Sequence, residues 1–116
     1  MPTVLIVDDH PSFRATARLL LEADGFTVAG EAETGTAALR AAAELEPDVV
    51  LLDVNLPDLD GFTVAQRLTQ NGGAPMVVMC SSRDARDFGD LVARSGARGF
   101  VAKADLSGKA VRELVA

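Results

Sequence analysis

The sequence predicts an α/β fold, a doubly wound five-stranded parallel sheet of (βα)5 type with helices on both faces. Short apolar runs alternate with stretches of helical periodicity five times along the chain, and parallel strands need such crossovers. The run at 49–52, reading VVLL, has no polar alternation and suits a strand buried on both faces. Four of the five apolar runs also end in polar residues: Asp8 and Asp9, then Asp53, Ser81 and Lys103.

In chain order, Thr3–Val7 is β-branched and apolar and reads as the first strand, delivering Asp8 and Asp9 at its end. Pro11 and Ser12 open a helix whose apolar face is Phe13, Ala17, Leu20 and Leu21, and Gly25 closes it. Thr27–Ala32 is the second strand, weakened by Gly30. Ala38, Ala42 and Leu45 mark a second helix stopped by Pro47, and 48–52 is the third strand, leading to Asp53. Asn55, Pro57, Asp58, Asp60 and Gly61 form a turn-rich acidic loop, with Asp58 and Asp60 suited to capping the next helix. That helix carries Phe62, Ala65 and Leu68, and Asn71, Gly72 and Gly73 break it. Residues 76–80 form the fourth strand, ending at Ser81. A helix over about 85–94 bears Phe88, Leu91 and Val92, but Gly89 costs it roughly 1 kcal/mol against Ala. Residues 98–102 form the fifth strand, ending at Lys103, and Ser107 caps a last helix with Val111, Leu114 and Val115 inward.

Composition narrows the function. A chain of 116 residues, 48% hydrophobic, matches one domain. The net charge of -6, with no block of Lys or Arg, argues against direct nucleic-acid binding. Cys80 is the only cysteine, sits in an apolar run and excludes an intramolecular disulfide, so a reducing cytoplasm is the natural setting. No run approaches membrane-spanning length, and no partner membrane is expected.

The polar strand ends share one edge of the sheet, where ligands of open parallel sheets bind. Three crowded carboxylates raise one another's pKa unless a cation neutralises them, and oxygen-only ligands favour a hard metal. Magnesium, or manganese, held by Asp9, Asp53 and a backbone carbonyl of the following loop, with Asp8 acting through water, satisfies that demand. An aspartate carboxylate is also a phosphoryl acceptor, and transfer mainly needs positioning and charge neutralisation. Lys103 supplies further positive charge. Ser81 offers its hydroxyl to a phosphoryl oxygen, a contact available only once phosphate is present.

The motifs VDDHP, DVNLPDLDG, the Ser81 position and GFVAK resemble the receiver domain of bacterial two-component response regulators, over nearly the whole chain. The resemblance implies a flavodoxin-like fold with strand order 2-1-3-4-5 across residues 1–116 and Asp53 as the aspartate phosphorylated from a sensor histidine kinase. It makes Asp8 and Asp9 the acidic pair and Asn55 the backbone-carbonyl metal ligand. Ser81 becomes the switch hydroxyl, Lys103 the phosphate-binding lysine and Phe100 the aromatic switch residue. The chain is then not a conventional enzyme but catalyses its own magnesium-dependent phosphorylation and dephosphorylation. Phosphate alters the face of the fourth helix, fifth strand and fifth helix, where an output domain, a partner or a second protomer docks. The wording DDHP resembles a subfamily that commonly appends a C-terminal helix-turn-helix, implying a transcription regulator whose output lies outside these residues.

Some positions depart from the common pattern. Ser82 replaces a usual Ala, Arg83 follows it within reach of a phosphoryl oxygen, and Phe100 lacks the hydroxyl of a Tyr. His10 reads as a turn residue beside the site with no catalytic role. Among rivals, a nucleotide-binding module would want a glycine-rich first turn, whereas this one is DDHPSF. An aspartate-nucleophile phosphatase would place an acid where Asn55 stands. A degenerate receiver used only as a protein-binding scaffold is the serious alternative, and the intact set of Asp8, Asp9, Asp53, Ser81 and Lys103 speaks against it.

Overall fold

The computed structural model describes residues 2–70 and 75–116. Five parallel strands, β1 (Thr3–Val7), β2 (Thr27–Ala32), β3 (Val49–Asp53), β4 (Met76–Ser81) and β5 (Gly99–Ala102), lie in the order β2-β1-β3-β4-β5. The burial of the strands agrees with this order. All of β3 is buried, as a central strand covered on both faces must be, whereas β2 at an edge is largely half-exposed. The first two strands have the bounds the sequence predicts. The third begins one residue late, because Asp48 uses its carboxylate on Thr3 N at 2.9 Å, and Asp53 belongs to the strand, paired with Cys80.

Helices α1 (Pro11–Ala23) and α5 (Gly108–Val115) cover one face, over a core that includes Ile6, Ala17, Leu21, Leu51, Val78 and Val111. Helices α2 (Gly35–Leu45) and α3 (Gly61–Thr69) cover the other, over Leu5, Val50, Leu52, Val64, Val77 and Met79. Alternation along each strand sends successive side chains to opposite faces, which is why Val4 and Ile6 fall in one core and Leu5 and Val7 in the other. The caps are local in origin. Thr34 accepts from Ala37 N, Asp60 from Thr63 N and Ser107 from Ala110 N, so Ser107 caps as its sequence context predicts. Glu46, just before Pro47, ends α2 in the left-handed region at φ 47°. The expected break of α3 at Asn71, Gly72 and Gly73 lies outside the described residues.

Three expectations need correction. Leu20 is 37% exposed and Leu45 is 44% exposed, so the buried stripes of α1 and α2 are narrower than periodicity suggests. Second, β2 takes one extra residue against β1 between Val4 and Leu5, and Gly30 falls at that irregularity, where a β-carbon would press on Leu45. Third, the helix expected over 85–94 is split into a 3-10 turn, Ala85–Phe88, and one turn of α-helix, α4 (Leu91–Arg94). Gly89 separates them at φ 57°, ψ -126°, a conformation that L residues with a β-carbon hardly adopt.

The split at Gly89 gives a direct prediction. A β-carbon there meets nothing within 4 Å, so Gly89→Ala acts through backbone strain alone and destabilises the protein by about 1–3 kcal/mol. Urea unfolding followed by circular dichroism measures this. A gain in stability with added helicity would show that the break is not required by the fold.

Candidate functional site

The pairing of β3 with both β1 and β4 brings the predicted residues together. Val7 pairs with Leu52 and Asp53 with Cys80, so Asp8, Asp53 and Ser81 leave neighbouring strands at one level. Lys103 follows Ala102, which pairs with Ser81. It must therefore reach over β4 from the edge strand to the carboxylates. Its Nζ ends 2.6 Å from Asp8 Oδ2 and 3.7 Å from Asp53 Oδ2, resting 4.4 Å above the ring of Phe13.

Asp8, with a side chain 1% exposed, sits deepest. Its Oδ1 accepts from His10 N at 2.8 Å and faces His10 Nδ1 at 3.0 Å. Asp9 Oδ1 lies 3.1 Å from the same ring nitrogen. Asp53 Oδ1 accepts from Asn55 N at 3.2 Å, an Asx turn that starts the loop after β3. Ser81 Oγ accepts from Arg83 N at 3.1 Å, leaving its own proton for another acceptor. Arg83 itself points away, toward Asp87 at 3.5 Å and over the ring of Phe88.

The charges do not cancel. Burial and, next, the Asp8 carboxylate push the Asp53 carboxyl up to about 6, against a smaller opposing pull from Lys103. Burial works against the Lys103 ammonium, yet its hydrogen bond to Asp8 and the charges of Asp53 and Asp8 outweigh that and raise its pKa. Burial also pushes the Cys80 thiol up to about 12, so it is an inert core residue.

A hard divalent cation fits this donor set. Buried Asp8 Oδ2 faces the Lys103 ammonium and buried Asp9 Oδ1 the His10 ring nitrogen, with no further hydrogen-bond partner among the described residues, and ligating atoms of Asp8, Asp9, His10 and Asp53 all lie within 4.8 Å of one another. Crowded, under-hydrogen-bonded carboxylate oxygens are what such an ion takes up.

Some neighbours were not apparent from the sequence. His10, read as a turn residue, places its ring nitrogen between the two acidic residues. Arg14 donates Nη1 to the Asp8 carbonyl at 2.7 Å while its Nε bonds Glu31 at the end of β2, fixing the turn that carries the acidic pair. The only signal for it was an Arg in the first turn of the helix that follows that pair. Of the loop acids, Asp60 caps α3 as expected, but Asp58 turns back to α2. Phe100 is half-buried against Phe88, ring centroids 5.7 Å apart, and Phe88 meets Phe62 at 5.5 Å.

Comparison with known proteins agrees with this fold. Residues 4–113 match the family model of the response regulator receiver domain. A Pseudomonas aeruginosa protein named as a transcriptional regulator is 42% identical over 103 residues, covering 89% of this chain and 50% of its own. The response regulator GacA of Pseudomonas viridiflava is 36% identical over 104 residues, covering 89% of this chain and 49% of its own. The chain thus spans about half the length of these curated relatives. The signal receiver domain of NarL from Mycobacterium tuberculosis superposes with a TM-score of 0.87 at 34% identity, covering 98% of this chain and 95% of that one.

The raised pKa of Asp53 makes stability depend on pH. Folded Asp53 holds its proton more tightly than the unfolded chain, so its ionisation opposes folding fully above about 6 and ceases to do so as pH falls toward 3.8. Asp53→Asn, which mimics the neutral form, gains on the order of 2–3 kcal/mol near pH 7.5 over wild type, a difference that shrinks toward zero near pH 4. Urea unfolding of both proteins at the two pH values reads it; a constant difference would assign the effect to packing.

Proposed function

The chain belongs to the response regulator receiver domain family, and from that premise we propose that it is a phosphorylation-activated switch in which Asp53 accepts a phosphoryl group from the phosphohistidine of a sensor kinase. The observation that carries this reading is the placement of Asp53 beside Lys103 and the acidic pair, on a strand end open to the crevice. An Asp53 oxygen attacks phosphorus, the P–N bond to the donor histidine breaks, and that nitrogen leaves with the bonding electrons. Ionised Asp53 is the nucleophile, and with a pKa of about 6 it is mostly in that form at neutral pH. Lys103, which already touches Asp53 Oδ2 at 3.7 Å, moves its charge onto the incoming phosphoryl oxygens. Ser81 donates its free hydroxyl proton to one of them.

Asp9, Asp53 and the Asn55 carbonyl, with Asp8 through water, would hold magnesium, and the ion would supply charge neutralisation for the phosphoryl oxygens. The cost of keeping Asp53 ionised in the apo protein favours such a cation, because neutralising the cluster removes the repulsion between Asp53 and Asp8.

Engagement of Ser81 draws the β4–α4 loop toward Asp53 and repositions Phe100 and the segment around Gly89. The affected surface carries a shallow groove of about 290 Å³ between β5 and α5, lined by Phe100, Asp105, Glu113 and Leu114 among others. An output domain, a partner protein or a second protomer docks on this face. The lengths of the curated relatives support control of a further segment, such as a transcription-regulating one.

Incubation with a small-molecule phosphodonor and magnesium adds one acid-stable, base-labile phosphate, read by mass spectrometry, and Asp53→Asn adds none. A wild-type chain that stays unmodified would favour a phosphorylation-independent scaffold. A stable phosphoryl mimic should shift backbone amides across 84–104; changes confined to the carboxylate cluster would remove the coupling from the proposal.

A further inference from the structure

Asp58 makes more hydrogen bonds than any other loop acid described here, and none of them is to its own helix. Its Oδ1 accepts from Gly35 N at 2.7 Å and Leu59 N at 2.9 Å, and its Oδ2 from Thr36 N at 2.9 Å and Thr36 Oγ1 at 2.7 Å. Gly35 and Thr36 open α2, whose first N–H groups have no partner within the helix and carry the positive end of its dipole. A carboxylate 22 and 23 residues away fills that place, while Thr34 satisfies Ala37 N. These bonds, Thr36 N first, hold the Asp58 carboxyl well below the usual carboxylate range.

The loop so anchored runs from Asp53 to α3. At its base Gly61 N donates to Val54 O at 2.7 Å, and a β-carbon on Gly61 would overlap the Asp53 carbonyl oxygen. Asn55 and Asp60 form an isolated bridge above this. At its tip, Gly35 packs so closely on Leu59 that a β-carbon at 35 would lie 2.9 Å from the Leu59 Cβ. The loop therefore has a tight base at the phosphoacceptor and one polar fastening at its far end.

We propose that Asp58 is a positioning residue for cation binding: by fastening the β3–α3 loop to the N-terminus of α2 it holds the Asn55 carbonyl in place beside Asp53 and Asp9. The inference rests on the reading of Asn55 as a ligand given above. Without the fastening, the cation must order the loop as it binds, and that ordering weakens affinity. Linkage requires the converse as well: a cation that prefers the ordered loop strengthens the clamp, so its binding slows exchange of the Gly35 and Thr36 amides on a different helix.

Magnesium titration by calorimetry and amide hydrogen exchange test this in wild type, Asp58→Ala and Thr36→Val. The Asp58 variant should bind magnesium about 10-fold more weakly, at the low end of what outer partners of metal ligands contribute. Its phosphorylation should need correspondingly more magnesium while reaching nearly the wild-type maximal rate. Thr36→Val leaves every charge in place and removes only one bond, so a smaller weakening there separates positioning from loss of a nearby negative charge. It also carries the test if Asp58→Ala fails to fold. In wild type, magnesium should protect the Gly35 and Thr36 amides. Unchanged magnesium affinity in Thr36→Val together with unprotected amides would overturn the clamp alone, leaving the proposed function standing. A wild-type protein that binds no magnesium would overturn both.

Discussion

Lys103 has one positive charge and two buried carboxylates to serve. Asp8, with a side chain 1% exposed, takes the closer contact, Lys103 Nζ lying 2.6 Å from its Oδ2. Removing one member of such a pair costs about 3–5 kcal/mol. Asp53, at 3.7 Å, receives what remains and holds its proton up to about 6. The sheet order produces this sharing. The strands that end at Asp8 and Asp53 are adjacent, whereas β5 is separated from β3 by β4. A side chain as long as Lys is needed to cross, and Phe13 supports its ammonium on the way. Any group that brings positive charge to Asp8 and Asp9 frees Lys103 to turn toward Asp53, which ties cation binding to the chemistry of Asp53.

The strand ends were legible because burial constrains them twice. A strand covered on both faces must be an apolar run, and where it meets the crevice the run must stop, so Val7 to Asp8 and Leu52 to Asp53 are visible in the sequence as edges. The division of charge among the residues at those edges was not legible, since it depends on distances across strands. The target of Asp58 was hidden for a related reason. An acid three residues before a helix reads as a cap for that helix, and nothing local says that the N-terminus of α2 is nearer. Gly89 shows the limit of periodicity: Phe88, Leu91 and Val92 fit one helical face, but the pattern does not distinguish a glycine tolerated inside a helix from one required at positive φ.

The loops around the site are fixed by close contacts to main chain and by tight packing at glycines. Gly61 allows α3 to start against the Asp53 carbonyl, and Gly35 allows α2 to start against Leu59. Arg14 bonds the Asp8 carbonyl from α1. The contacts at Gly61 and Arg14 pin main chain next to Asp53 and Asp8 without engaging the carboxylate oxygens. Such an arrangement preorganises a site without neutralising it, so the repulsion that makes Asp53 responsive is retained.

The segment after Ser81 is built differently. Ser81 Oγ holds Arg83 N, Arg83 lies over the Phe88 ring, and Phe88 stands between Phe62 and Phe100. This is a continuous path of contacts from the crevice to the outer face, and contiguity is a physical route for coupling but not a measure of it. What decides the strength of the route is how Phe100 is held. Without a hydroxyl it has only ring packing to favour one rotamer, and an aromatic pair contributes about 0.5–1.5 kcal/mol beyond its burial. Phe100 therefore cannot turn inward independently of Phe88, whose own backbone is followed directly by the left-handed Gly89. In the proposed switch, the position of the 85–88 turn, more than any property of Phe100, sets the balance between inward and outward states, and a gap this small lets both be populated before phosphate is present.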